Sequence, residues 1–174
     1  MARKLKHQIK GKQFMDKIDL SKIAIKNLLE FPEFTNEVSY WIWSEWHKKE
    51  GTSLDDIKFR TEHSQGRVDI PQTFIALYNN ELIGTVSLWN NERAFTQNLR
   101  PWLACLFVKN EFRKQGIGNF LQSFAIQKAK AMGYKKLYLM TEYTGYYEKL
   151  GWKFLENAPL GRNESNRIYE IILK

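Results

Sequence analysis

"WLACLFVKNEFRKQGIGNFLQSFAIQKAKAMGYKKLYLMT", Trp102 to Thr141, is the stretch on which the fold turns. Its first seven residues are an unbroken apolar run of strand length, the pattern of a strand covered on both faces. From Ile117 to Met132, Ile117, Phe120, Leu121, Phe124, Ala125, Ala129 and Met132 recur at i, i+3, i+4, i+7 spacing, and Gly133 supplies a stop. "KKLYLMT" is a second apolar strand. The order strand, helix, strand predicts two parallel strands joined by a right-handed crossover.

Between the first strand and the helix lies "RKQGIG", Arg113 to Gly118. Backbone N–H groups at a helix start have no intrahelical partners and sit at the positive end of the dipole. Gly116 and Gly118 remove side chains that would block close approach, and Arg113 and Lys114 add charge. A phosphate or pyrophosphate suits such a turn. On the residues alone, a bare strand-to-helix connector is the other reading. Two nucleotide motifs fail on spacing: Asn119 and Phe120 follow Gly118 where a P-loop needs Lys and Ser or Thr, and Leu121 stands where a dinucleotide fingerprint needs its third glycine.

Working outward, the apolar residues of Pro32 to Lys48 (Phe34, Val38, Trp41, Ile42, Trp46) predict a helix. "SLDD" predicts a second one starting at Ser53, with Asp56 closing a capping box. "TFIALYNNELIGTVSLWN" reads as a β-hairpin turning at Asn79-Asn80, residues that tolerate positive φ. A short helix around Tyr146 to Leu150, a strand from Trp152 to Leu155 and a last strand "RIYEIILK" complete a mixed α/β chain. The 174 residues, 43% of them hydrophobic, suit one domain spanning 1–174, with residues 1–20 a basic, frayed start.

The formal net charge of +8 favours anionic partners without choosing among them. No stretch reaches membrane-span length and the start lacks a secretory apolar core, so no membrane association is expected and a cytoplasmic location is. One cysteine, Cys105, excludes an internal disulfide and reads as a buried structural thiol. His7, His47 and His63 are scattered, and no metal site is expected. No strand interleaves aromatic with basic residues, which argues against nucleic acid.

Three segments resemble a known family. "RKQGIG" matches the R/Q-x-x-G-x-G/A signature of the GNAT N-acetyltransferases, "VKNEFRKQGIG" resembles the longer stretch around it, and "YYEKLGW" is similar to the family's F-Y-x-x-L-G-F segment. The likeness implies a mostly antiparallel sheet whose central parallel strand pair splays to admit acetyl-CoA, with flanking helices. It also implies that Arg113, Lys114, Gln115, Gly116, Ile117 and Gly118 wrap the cofactor's pyrophosphate. Leu106, Phe107 and Val108 would bond the pantetheine arm like an added strand, and Thr141 would border it from the second parallel strand. Tyr147, rather than Tyr146, takes the position that faces the sulfur. Asn110 replaces a frequent proline, and Thr141-Glu142 stands where an asparagine is often found.

The implied chemistry moves an acetyl group to a primary amine of a small molecule, less readily of a peptide or protein. It needs a neutral amine, a stabilised oxyanion and a proton for the departing thiolate. Tyr147 is the candidate acid, the backbone N–H groups around Leu106 to Val108 are the candidate oxyanion donors, and Glu92 is the candidate base. Glu142, Glu45 or a water relay could replace Glu92. Of Trp41, Trp43 and Trp46, Trp43 falls off the helical stripe and could line an acceptor pocket. A non-catalytic acyl-CoA sensor or a basic RNA-binding module is the alternative, and oligomeric state, a homodimer included, stays open.

Overall fold

The computed structural model describes residues 17–92, 98–159 and 165–174. Seven strands form one sheet in the order β1-β2-β3-β4-β5-β7-β6, with β1 Ile23–Asn27, β2 Gln72–Tyr78, β3 Glu81–Trp89, β4 Trp102–Val108, β5 Lys136–Thr141, β6 Lys153–Pro159 and β7 Ser165–Ile172. Every neighbouring pair is antiparallel except β4 and β5, which run parallel. Helices α1 (Thr35–Ile42), α2 (Leu54–Glu62) and α3 (Ile117–Ala131) flank it.

The expected local signals act where they were read. Asn79 and Asn80 adopt φ of 50° and 64°, the left-handed pair that turns a tight hairpin without splaying its strands. Ser53 Oγ accepts from the Asp56 N–H at 3.0 Å and donates to the Asp56 carboxylate at 2.7 Å, which starts α2. Gly133 takes φ 86° just past α3 and ends it.

Three hydrophobic clusters pack on the sheet, two of them beneath the helices on opposite faces. Under α3, Ile117, Leu121, Ala125 and Ala129 pack on Phe74, Val86 and Leu103. On the other face Val38, Trp41 and Ile42 of α1 and Ile57 of α2 pack on Ile75, Leu77 and Leu82. Because β2, β3 and β4 are covered on both sides, they read as apolar runs rather than alternating patterns.

Four expectations need correction. The strand β1 was not foreseen. Of the start expected to fray, residues 1–16 lie outside the described residues, while Ile18 is buried in the α3-side core and its N–H donates to Gln115 Oε1 at 2.9 Å. The helix expected from Pro32 to Lys48 is composite: a 3-10 turn precedes α1, and a π-helical turn at Trp43–His47 and a 3-10 turn at Lys48–Glu50 follow it. Near the C-terminus the helical turn shrinks to 3-10 at Glu148–Leu150 and the strand after it runs on to Pro159.

Gly84 of β3 marks where α3 seats on the sheet. A Cβ there would lie 2.8 Å from the Phe107 carbonyl oxygen and 3.1 Å from Leu121 Cδ1, so neither backbone nor helix leaves room for a methyl. Gly84→Ala is expected to destabilise the fold by about 1–3 kcal/mol, the usual cost of overpacking. Urea unfolding monitored by tryptophan fluorescence checks this, and an unchanged midpoint would contradict it.

Candidate active site

The parallel pair β4 and β5 is joined only at its beginning. Trp102 opposes Tyr138, the Tyr138 N–H donates to the Pro101 carbonyl at 3.0 Å, and no further residue pair is in register. Past that point β4 keeps its ladder with β3, and β5 keeps its ladder with β7. The facing edges of Leu103–Val108 and Leu139–Thr141 therefore carry main-chain donors and acceptors that the sheet does not use.

A β-bulge accompanies the divergence. Thr85 pairs with Phe107 and Ser87 with Ala104, so Cys105 and Leu106 together oppose Val86. Cys105 takes φ 51°, a left-handed value that costs a non-glycine residue on the order of 1 kcal/mol. The extra residue breaks the alternation: Ala104 and Cys105 both pack on the α1/α2 face, while Leu106 and Val108 return to the α3 face. Main-chain groups at Cys105–Leu106 are thereby turned out of the β3 ladder.

The gap between the strands opens into a cleft of about 940 Å³. At its α3 end the turn Arg113–Gly118 forms a concave loop, with φ of 63° at Lys114 and 86° at Gly116. Such left-handed positions turn successive N–H groups to one side. The α3 N-terminus has no side-chain cap and no acidic residue in its first turn, so its amides and positive dipole end are uncompensated by the chain itself. A Cβ added at Gly118 would meet nothing within 4 Å.

Of the residues expected at this end, Arg113, Lys114, Gly116, Ile117 and Gly118 line the cleft, as do Leu106, Phe107, Val108 and Thr141. Gln115 does not, since its side chain holds the Ile18 N–H. The Arg113 side chain is committed to the turn: Nε donates to the Val108 carbonyl at 2.8 Å, the guanidinium lies 5.2 Å from the Phe107 ring centroid, and Nη2 sits 3.8 Å from Glu45. It anchors the loop to the end of β4.

The two tyrosines part company. Tyr146 donates its hydroxyl proton to Asn119 Oδ1 at 2.7 Å, tying this loop to the start of α3. The Tyr147 ring is wedged edge-on against Tyr146 and Trp152, and its hydroxyl has no hydrogen-bond partner among the described residues. Burial, then the neighbouring Tyr146 and Tyr143, push its pKa up to about 12. It is a proton donor that stays protonated throughout the neutral range.

At the opposite end Glu92, Cys105, Trp89 and Arg60 meet. Burial pushes the Cys105 thiol well above its ordinary value, with Glu92 adding to the rise and Arg60 opposing it. The half-buried thiol is thus a weak nucleophile, as expected of a structural cysteine. Glu45 and Glu142 also border the cleft, Glu45 beside Arg113. Of Trp41, Trp43 and Trp46, the one that lines it is Trp46, carried with Glu45 and His47 on the π-helical turn. Trp43 instead donates its indole N–H to the Thr52 carbonyl at 2.8 Å. Sequence reasoning missed Arg60 and Asn119, because neither stands in a local motif. Among the described residues, no group of three His, Cys, Asp or Glu side chains is arranged to hold a metal, and no helix is long and apolar enough to cross a membrane.

The profile of the acetyltransferase (GNAT) family matches residues 35–152. Among solved structures, an aminoglycoside 6'-N-acetyltransferase complexed with coenzyme A superposes with a TM-score of 0.69 at 18% identity, covering 87% of this chain and 97% of that one. The aminoglycoside 6'-N-acetyltransferase of Enterococcus faecium gives 0.66 at 16% identity, with 87% and 97% covered. A GNAT-family acetyltransferase of Staphylococcus aureus Mu50 gives 0.61 at 20%, with 87% and 99% covered. No curated protein matches the chain.

The raised Tyr147 pKa carries a signed expectation. Its folded value lies above the free value near 10, so the neutral phenol's contribution to stability is complete below about pH 10 and is lost as pH rises through about 12. The ultraviolet titration difference between the protein and Tyr147→Phe is expected to show one phenol ionising near pH 12. A difference curve centred near 10 would contradict the buried setting.

Proposed function

Because this chain belongs to the GNAT acetyltransferase family, we propose that it binds acetyl-CoA in the gap between β4 and β5 and transfers the acetyl group to a primary amine of a small molecule. The observation that carries this reading is the coincidence of three features in one cleft. The first is the unpaired edges of two diverging parallel strands, the second the bare N-terminus of α3. The third is a half-buried phenol with an uncommitted hydroxyl.

The residues present fit the cofactor. The open space at Gly118 and the left-handed turns at Lys114 and Gly116 leave a cradle of amides for a pyrophosphate. Backbone groups of Leu106–Val108 offer a strand edge to the amides of the pantetheine arm, with Thr141 across the gap. Bound there, acetyl-CoA supplies an acyl thioester. Main-chain N–H groups released by the bulge at Cys105–Leu106 stabilise negative charge growing on a carbonyl oxygen; one such donor is worth on the order of 3 kcal/mol.

Tyr147 holds a proton toward the sulfur side. With its pKa about 12 against a thiol near 8.5, complete transfer is uphill by about 5 kcal/mol, so the phenol acts chiefly by donating a hydrogen bond while solvent completes the protonation. Glu92, which lines the cleft, takes the proton of an incoming ammonium in this reading, directly or through water.

Two of the structures that share this fold are named for aminoglycosides, but a polycation would find a mixed cleft here. The carboxylates Glu45, Glu92 and Glu142 face Lys49, Arg60, Arg113 and Lys114, and Glu45 already neighbours Arg113. The charge balance does not single out a polycationic acceptor.

Gly118→Val tests the cradle, since a Cβ at this position meets no protein atom within 4 Å. Calorimetric titration with acetyl-CoA is expected to show at least a tenfold loss of affinity while the melting temperature holds. Equal affinity would mean the turn is only a connector. Tyr147→Phe is expected to lower kcat by about 10- to 100-fold with acetyl-CoA affinity retained, less than the roughly 100- to 10,000-fold of a full proton transfer because the phenol chiefly donates a hydrogen bond. Full activity in that variant would remove Tyr147 from the chemistry.

A further inference from the structure

The geometry points to Arg60 as an acceptor-binding residue that recognises an anionic oxygen group, so that the favoured acceptor is an amine carrying a carboxylate or phosphate in the same small molecule. This inference rests on the acetyl-transfer reading above and names its substrate class.

Arg60 lies on the second turn of α2, on the sheet face opposite α3, and lines the cleft. Its guanidinium carbon sits 3.7 Å from the Trp89 ring centroid. Trp89 is a rigid platform: it is 4% exposed, ends β3 and pairs with Trp102 of β4. Stacking fixes the plane of the guanidinium and strips water from one face, while the N–H edge keeps its donors. Among the described residues no carboxylate forms an ion pair with it and no acceptor takes a hydrogen bond from it. By contrast, Lys109 and Lys136 are in ion pairs, and Arg113 is bonded into the turn. A half-buried, pre-oriented and uncommitted fork beside a cleft matches the two oxygens of a carboxylate or phosphate.

The charge layout fixes the rest of the acceptor. Both Glu92 and Arg60 act on the Cys105 thiol, with opposite sign, so a negative and a positive group share this end of the cleft next to the β4 bulge. A zwitterion meets both: its ammonium turns to Glu92 and its anionic group turns to Arg60, beside the bulge at Cys105–Leu106. A neutral amine leaves the guanidinium unmatched, and a polyamine brings a like charge against it. The α3 end, with Lys114 and the helix amides, is left to the cofactor.

The test uses the full chain saturated with coenzyme A and matched probes: free α-amino acids against their α-amides, phosphoethanolamine against ethanolamine, and spermidine. Binding is read by calorimetry and turnover by release of free thiol from acetyl-CoA. The anionic member of at least one matched pair is expected to bind about tenfold or more tighter than its partner, the range of a hydrogen-bonded charge. Which pair responds separates carboxylate from phosphate. Arg60→Gln is expected to erase that preference and raise KM for the anionic acceptor, with kcat and acetyl-CoA affinity little changed. Arg60→Lys is expected to restore part of it. Equal binding of acid and amide by the unaltered protein, tightest binding of spermidine, or a preference that survives in Arg60→Gln would each overturn the assignment. Discrimination in binding without thiol release from any probe would leave Arg60 in place and instead sink acetyl transfer to these amines.

Discussion

The divergence of two parallel strands after a single paired position is the constraint from which the rest of the site follows. Strands β4 and β5 are central, and a central strand normally has both edges bonded. Here Trp102 and Tyr138 hold the pair at one end, and a bulge at Cys105–Leu106 interrupts β4 beyond it. Main-chain polar groups left open inside a protein cost free energy unless something meets them. An extended ligand rich in amides would meet them, which is why we propose the gap as the binding slot.

The two faces of the sheet then divide the work. The α3 face supplies amides and positive charge at the start of a long helix, while the α1/α2 face supplies Glu92, Arg60 and the aromatic surfaces of Trp46 and Trp89. The bulge sits between them, with Cys105 turned toward one side and Leu106 toward the other. The direct attack we propose would use this layout, with one reactant entering from each face and the turned-out backbone between them.

Much of this architecture was legible from residue pattern. The buried strand Trp102–Val108, the amphipathic α3 with its glycine stop, the Asn79-Asn80 hairpin and the parallel pair all follow from local rules that the chain obeys. The glycine turn before α3 was legible as the join between a buried strand and a helix, while the residues alone left a bare connector open beside an anion cradle. What escaped is instructive. Strand β1 is five residues long and carries Lys26 and Asn27, and its place at the sheet edge is set by pairing with β2 rather than by its own composition. The bulge escaped because it rests on a cysteine with positive φ, where only glycine or asparagine would have signalled it. The π-helical turn that brings Trp46 to the cleft has no sequence mark. Arg60 and Trp89 stand 29 positions apart, and no spacing rule links an exposed-looking helix arginine to the end of a strand.

The central claim is that the cofactor occupies the gap itself, gripped by main-chain amides at both ends of the bulged segment. An amide-resolved nuclear magnetic resonance titration of the full chain with coenzyme A tests it most directly. The largest shifts are expected at Leu106, Gly116, Gly118 and Thr141, saturating together. Shifts confined to the outer basic surface, with these four amides unmoved at saturation, would contradict the account.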